Sequence, residues 1–103
     1  MRVVNEEVVG RFTRKYPDSR GWLENWLRTV RDAQWHSIVD VQSTYPAADG
    51  GVRVASGGRV TIFDVSGSKY RLVAVVVFVG QTVVVLDVMT HAEYSRGRWK
   101  LRY

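Results

Sequence analysis

Residues 59–90 read RVTIFDV-SGS-KYRLVAVVVFV-GQ-TVVVLDVMT, and the fold turns on this stretch. Three runs rich in valine and aromatic residues, Arg59 to Val65, Lys69 to Val79 and Thr82 to Thr90, are separated by Ser66-Gly67-Ser68 and by Gly80-Gln81. β-Branched runs bounded by such residues predict strands joined by tight turns. Connections this short exclude parallel crossovers, so the three strands are expected as an antiparallel meander. Past Arg71 the middle run is apolar at every position, so both sheet faces need a cover. Helices cover one face; the tail, the chain's second loop or a partner covers the other.

Upstream of the strands the apolar period becomes helical. After a short start at Arg2 to Val4, Asn5 is placed to cap a helix whose first turn holds Glu6 and Glu7, where the helix dipole favours negative charge. Val8, Val9, Phe12 and Tyr16 recur at helical spacing until Pro17. Asp18 or Ser19 can start a second helix, with Trp22, Leu23, Trp26, Leu27, Val30 and Ala33 as its apolar stripe and Glu24 paired with Arg28 on the other side. Trp22 and Trp26 belong to packing rather than to a base-stacking surface. One short helix is expected around Ile38 to Gln42, before Tyr45-Pro46 forces an extended backbone. Residues 47–58 hold four glycines and are expected as the one mobile loop. The expectation is an α+β fold, N-terminal helices packed on an antiparallel β-sheet, in a single domain of residues 1–103.

Composition narrows the function classes. Apolar residues make up 46% and charged residues 24% of the chain, the ordinary globular mixture. The longest apolar run, Leu72 to Val79, is far shorter than the roughly 20 residues a membrane-spanning helix needs, so no membrane partner is expected. Met1 to Gly10 has no long apolar centre, so no secretory signal is read and a cytoplasmic protein is expected. Cysteine is absent, which excludes disulfides, thiolate catalysis and cysteine-ligated zinc. The two histidines, His36 and His91, lie far apart without metal-ligand spacing, so neither a metal nor another cofactor is expected.

Charge is uneven along the chain. Residues 1–51 hold seven basic and seven acidic side chains, whereas residues 52–103 hold eight basic and three acidic. Twelve of the fifteen cations are arginine, whose planar fork matches phosphate. A basic face that attracts a polyanion and a surface charged for solubility both fit this distribution.

Polar residues gather where the strands end. Lys69 and Arg71 flank Tyr70, so a strand would point both to one face, either to grip phosphate or to pair with Asp64 or Asp87. Thr90-His91-Ala92-Glu93-Tyr94-Ser95-Arg96 follows the last strand and brings together imidazole, carboxylate, phenol, hydroxyl and guanidinium groups. Metal-free cleavage of RNA needs a base for the ribose 2′-OH, an acid for the leaving 5′-oxygen and cations for the phosphorane. His91 suits either proton task, Glu93 suits orientation or base, and Tyr94 suits hydrogen bonding or stacking, with Lys69, Arg71 and Arg96 supplying charge.

These residues resemble a known family. Val88-Met89-Thr90-His91-Ala92-Glu93-Tyr94, the upstream Phe63 to Leu72 with its Lys69-Tyr70-Arg71-Leu72, the Trp99-Lys100 pair, Tyr45-Pro46-Ala47-Ala48-Asp49 and Trp35 are similar, in order and spacing, to the HigB toxins of type II toxin–antitoxin systems. The resemblance implies a RelE-like microbial ribonuclease fold and an endoribonuclease, an mRNA interferase. Such a toxin cleaves mRNA, commonly on the ribosome, by 2′-OH attack that leaves a 2′,3′-cyclic phosphate. It also implies a cognate helix-turn-helix antitoxin, HigA-like, as partner. Position by position, the family's basic strand residues fall on Lys69 and Arg71, and its terminal motif falls on His91, Glu93 and Tyr94. Many relatives carry an aspartate after the EY pair and an arginine in the last strand, where this chain has Ser95 and Leu86. Arg59, Arg96, Arg98 and Lys100 are the further cations expected against RNA. A toxin of the same superfamily that binds RNA, ribosome or gyrase without cutting is the alternative, and a scaffold docked on ribosomal RNA is a third.

Overall fold

In chain order the elements are β1 (Arg2–Val4), α1 (Glu6–Lys15), α2 (Arg20–Asp32), α3 (Ile38–Thr44), β2 (Asp49–Arg53), β3 (Arg59–Val65), β4 (Tyr70–Val77), β5 (Thr82–Thr90) and α4 (His91–Arg96). They come from a computed structural model that describes residues 1–103. The expected α+β architecture forms, with the β3–β4–β5 meander at its centre. Two strands extend it, giving the order β1-β5-β4-β3-β2. β1 runs parallel to β5, so the sheet is mixed rather than wholly antiparallel.

Residues 47–58 are not one loop, because β2 pairs antiparallel with β3 across Asp49 to Arg53. Glycine had masked this strand: its register shifts between Asp49 and Val52, where Gly50 and Gly51 lie. A glycine-rich, bulged edge strand lacks the alternation by which strands are read.

The helix starts also differ in detail. Asn5 takes a left-handed backbone (φ 67°, ψ 40°), and its amide donates to the Val85 carbonyl at 3.3 Å instead of capping α1. Ser19 ends a 3₁₀ turn of Pro17–Ser19 and donates to the Tyr16 carbonyl at 2.7 Å. Glu24 pairs with Arg20 at 3.7 Å, one turn before it, rather than with Arg28.

The helices bury one face of the sheet. Val9 and Phe12 of α1, Leu23, Trp26 and Val30 of α2 and Val41 of α3 pack with Phe63, Val65, Leu72, Ala74, Val83 and Val85. Trp26 lies edge-on to Phe63, and Trp22 tilts against Tyr45, so both tryptophans pack as expected. The other face carries a second core of Val60, Ile62, Val73 and Met89, and the tail covers it with Trp99, 1% exposed. Arg102 and the Tyr103 hydroxyl bind Asp87 at 2.7 and 3.1 Å, and the Ala55 amide donates to the Lys100 carbonyl at 2.9 Å. Leu101 alone of the tail's apolar residues turns outward, 77% exposed.

Candidate active site

Arg71, His91 and Tyr94 come from the corner where β4 begins and β5 ends. α4 leaves β5 there, with Thr90 as its cap: Thr90 Oγ1 accepts from the Glu93 amide at 3.2 Å. The His91 amide donates to the Lys69 carbonyl at 3.1 Å, tying α4 to the start of β4. Gly97 ends the helix with φ 74°, a left-handed turn that glycine adopts without steric cost. The chain then folds back so that Trp99 Nε1 donates to the Tyr94 carbonyl at 3.2 Å.

Arg71 is the cation of this corner. It points to the tail-covered face, between Asp64 on β3 and Met89 on β5. Its Nε lies 3.1 Å from Asp64 Oδ1, and its Nη1 donates to the Ser68 and Tyr70 carbonyls at 2.7 and 3.2 Å. The guanidinium carbon stands 5.3 Å from the Tyr94 ring centroid, a cation–π contact on a side chain only 11% exposed. Tyr94 in turn stacks on Trp99 at 5.6 Å. Burial pushes the Tyr94 phenol above its ordinary 10.0; Asp49 and Asp64 push the same way, and Arg71 opposes them. Tyr94 is therefore a proton-bearing hydroxyl throughout the neutral range.

His91 is exposed at the first turn of α4, and its Nε2 lies 3.5 Å from Ser95 Oγ, one turn on. Ser95 thus meets the imidazole with a neutral hydroxyl. Leu86 is the extra residue where the β4–β5 register shifts, and it packs against the second core.

Lys69 does not join Arg71. It lies in the turn before β4, where strand alternation no longer governs its direction, and its ammonium pairs with Asp18 between α1 and α2. The Tyr70 hydroxyl donates to both oxygens of the same carboxylate, at 2.8 and 3.0 Å. The Lys69 and Tyr70 hydrogen bonds hold Asp18 below the usual carboxylate range, and Asp18 holds the Lys69 ammonium above its ordinary value. Asp87 of β5 is bound by Arg102 and Tyr103 of the tail and pairs with neither cation.

Glu93 is turned away from this corner. It lines a cleft of about 310 Å³ with Arg96, Arg98, Trp99 and Arg102, and a second of about 400 Å³ toward α1. Lys100 projects over the Trp99 ring at 5.8 Å, and exposed Arg59 stands opposite Arg53 across the β2–β3 edge. The largest cavity, about 710 Å³, is remote, between the end of α2 and α3; His36 lines it and no candidate residue does. That Asp18 meets Lys69 and Tyr70, and that Asp49 acts on the Tyr94 phenol, was not readable from the sequence, because these pairs lie far apart along the chain.

Comparison with known proteins adds an independent finding. Residues 19–97 match the family described as HigB_toxin, RelE-like toxic component of a toxin-antitoxin system. Over 95 residues, 92% of this chain and 88% of the relative, the sequence is 24% identical to the mRNA interferase toxin HigB of Escherichia coli strain K12. Identity and coverage are the same for the mRNA interferases HigB of Escherichia coli O157:H7 and Shigella flexneri.

Proposed function

This chain belongs to the HigB family of RelE-like toxins, and from that membership we propose that it is an mRNA interferase, a metal-independent endoribonuclease acting at the β4–α4 corner. As the toxic component of a toxin–antitoxin pair it has an antitoxin partner; the helix-turn-helix type, HigA-like, and action on ribosome-bound mRNA are parts of the proposal. Residues 1–103 act as one toxin domain, since both cores share one sheet.

The observation that carries the reading is the stacking of Arg71 on Tyr94 beside the first turn of α4. In the proposed reaction His91 removes the 2′-OH proton, and the 2′-oxygen attacks the adjacent phosphorus. The P–O5′ bond breaks to give a 2′,3′-cyclic phosphate. Tyr94, held as a phenol by burial, donates its hydrogen to the departing 5′-oxygen, and Arg71 offsets charge on the phosphorane. His91 rather than Glu93 is the base, because Glu93 opens into the arginine cleft. Lys69 serves the phosphate only after leaving Asp18.

A non-cleaving toxin has one observation in its favour: the two cations expected to grip phosphate are already paired, Arg71 with Asp64 and Lys69 with Asp18. Labelled mRNA incubated with the protein in EDTA, with and without ribosomes, separates the readings. Discrete fragments ending in a cyclic phosphate are expected. Intact RNA in every lane would turn the assignment to a binding toxin.

A further inference from the structure

α1 and the tail face each other across the larger of the two clefts that Glu93 lines. Its floor includes Val8, Phe12 and Val88, and α1 supplies Arg11 and Lys15 to its rim. Through Glu93 it adjoins the cleft of Arg96, Arg98 and Arg102, so the two clefts meet on α4 at the residue next to Tyr94 and two from His91, on the side of the helix away from Arg71.

Charge along the path of these two clefts is unbalanced. Arg11, Lys15, Arg96 and Arg98 have no carboxylate within 4.0 Å, whereas Arg102 is already paired with Asp87. Glu93 is the one anion of the path left unpaired. Unpaired cations gathered along two adjoining clefts repel each other and attract a polyanion. The apolar floor suits the faces of unstacked bases, and half-buried Tyr16, under Lys15 at 5.6 Å, offers a ring for stacking. The α1 rim is cationic, the facing side carries Glu93 and the Asp87 that Arg102 already neutralises, and the apolar floor between them leads toward the arginine cleft, the pattern of a single-strand track.

Resting on the reading that α4 carries the cutting groups, we infer that the RNA strand continues from them along this path, with Arg11 and Lys15 of α1 gripping phosphates beyond the bond that is cut. Neither residue was singled out by the sequence, where both look like the ordinary solvated face of a helix.

The probe is a fluorescein-labelled 2′-O-methyl oligoribonucleotide of about 15 nucleotides, which lacks the attacking hydroxyl and survives in the complex. Anisotropy titrations at several salt concentrations compare Arg11→Ala/Lys15→Ala with Arg14→Ala/Arg28→Ala, which removes the same charge from exposed helix positions off the path. The first pair should bind about tenfold more weakly at low salt and lower the log–log salt slope by about 1.4, from about 0.7 per single-strand phosphate contact. The second pair should leave the slope near wild type. Equal slopes for the two pairs would overturn the track, as would an unchanged slope accompanied by lost antitoxin binding. His91→Ala, assayed on unmodified RNA in parallel, keeps the failures apart: undiminished cutting there removes the site on α4 and the track with it, whereas arrested cutting beside an unchanged slope removes the track alone.

Discussion

Arg71 braces Tyr94 from below, its guanidinium carbon 5.3 Å from the ring centroid, while the same side chain holds Asp64 at 3.1 Å. Arg71→Lys keeps the charge but has no planar fork to serve carboxylate, backbone carbonyls and ring together. Single-turnover cleavage is expected to fall about 10²-fold, as for loss of one preorganised donor. An undiminished rate would leave Arg71 with a structural task only.

Tyr94→Phe separates chemistry from packing. The ring keeps its stack on Trp99 at 5.6 Å, and the lost hydroxyl has no hydrogen-bond partner within the fold. Cleavage should drop by about 10²-fold or more with an unchanged melting temperature. In the wild type the phenol is raised above 10.0, so its proton is present below that pH and is lost only on further rise. A rate equal to wild type for the Phe variant would remove Tyr94 from the reaction.

Asp18 joins the α1–α2 junction to the β3–β4 turn through Lys69 and Tyr70. Its folded value lies below 3.8, so the unfolded chain binds the proton more readily. The contribution to stability is thus complete above about pH 4 and fades as pH falls below that. Asp18→Asn should flatten the acid limb of a plot of urea midpoint against pH. A parallel displacement of the whole curve would show that the carboxylate's charge is not what matters.

Trp99 fills the second core and is 1% exposed. Trp99→Ala should cost about 3–5 kcal/mol, the usual range for a buried aromatic. Urea unfolding measures it. A loss below about 1 kcal/mol, within the ordinary run of point substitutions, would mean that the tail does not hold this face.

The central meander was legible because valine-rich runs and tight turns lie next to each other in the chain. So was the helical stripe of Trp22 to Val30. β2 was not, since Gly50 and Gly51 erase its alternation, and β1 was too short to reveal its parallel pairing with β5. The nearness of Tyr94 to Arg71 was readable from motif and strand order. The direction of Lys69 was not, because it depends on Asp18, 51 residues away, and on a strand that starts one residue later than its pattern suggests.

None of the six residues of α4 is fully buried. Its rigidity is borrowed from the Thr90 cap, one backbone hydrogen bond to Lys69 and the Trp99 bond to Tyr94. A segment anchored this way opens at lower free energy than the sheet beneath it. On heating, the capacity to process message should fade while β3 to β5 still resist amide exchange, so catalytic shutdown precedes global melting and reverses on cooling.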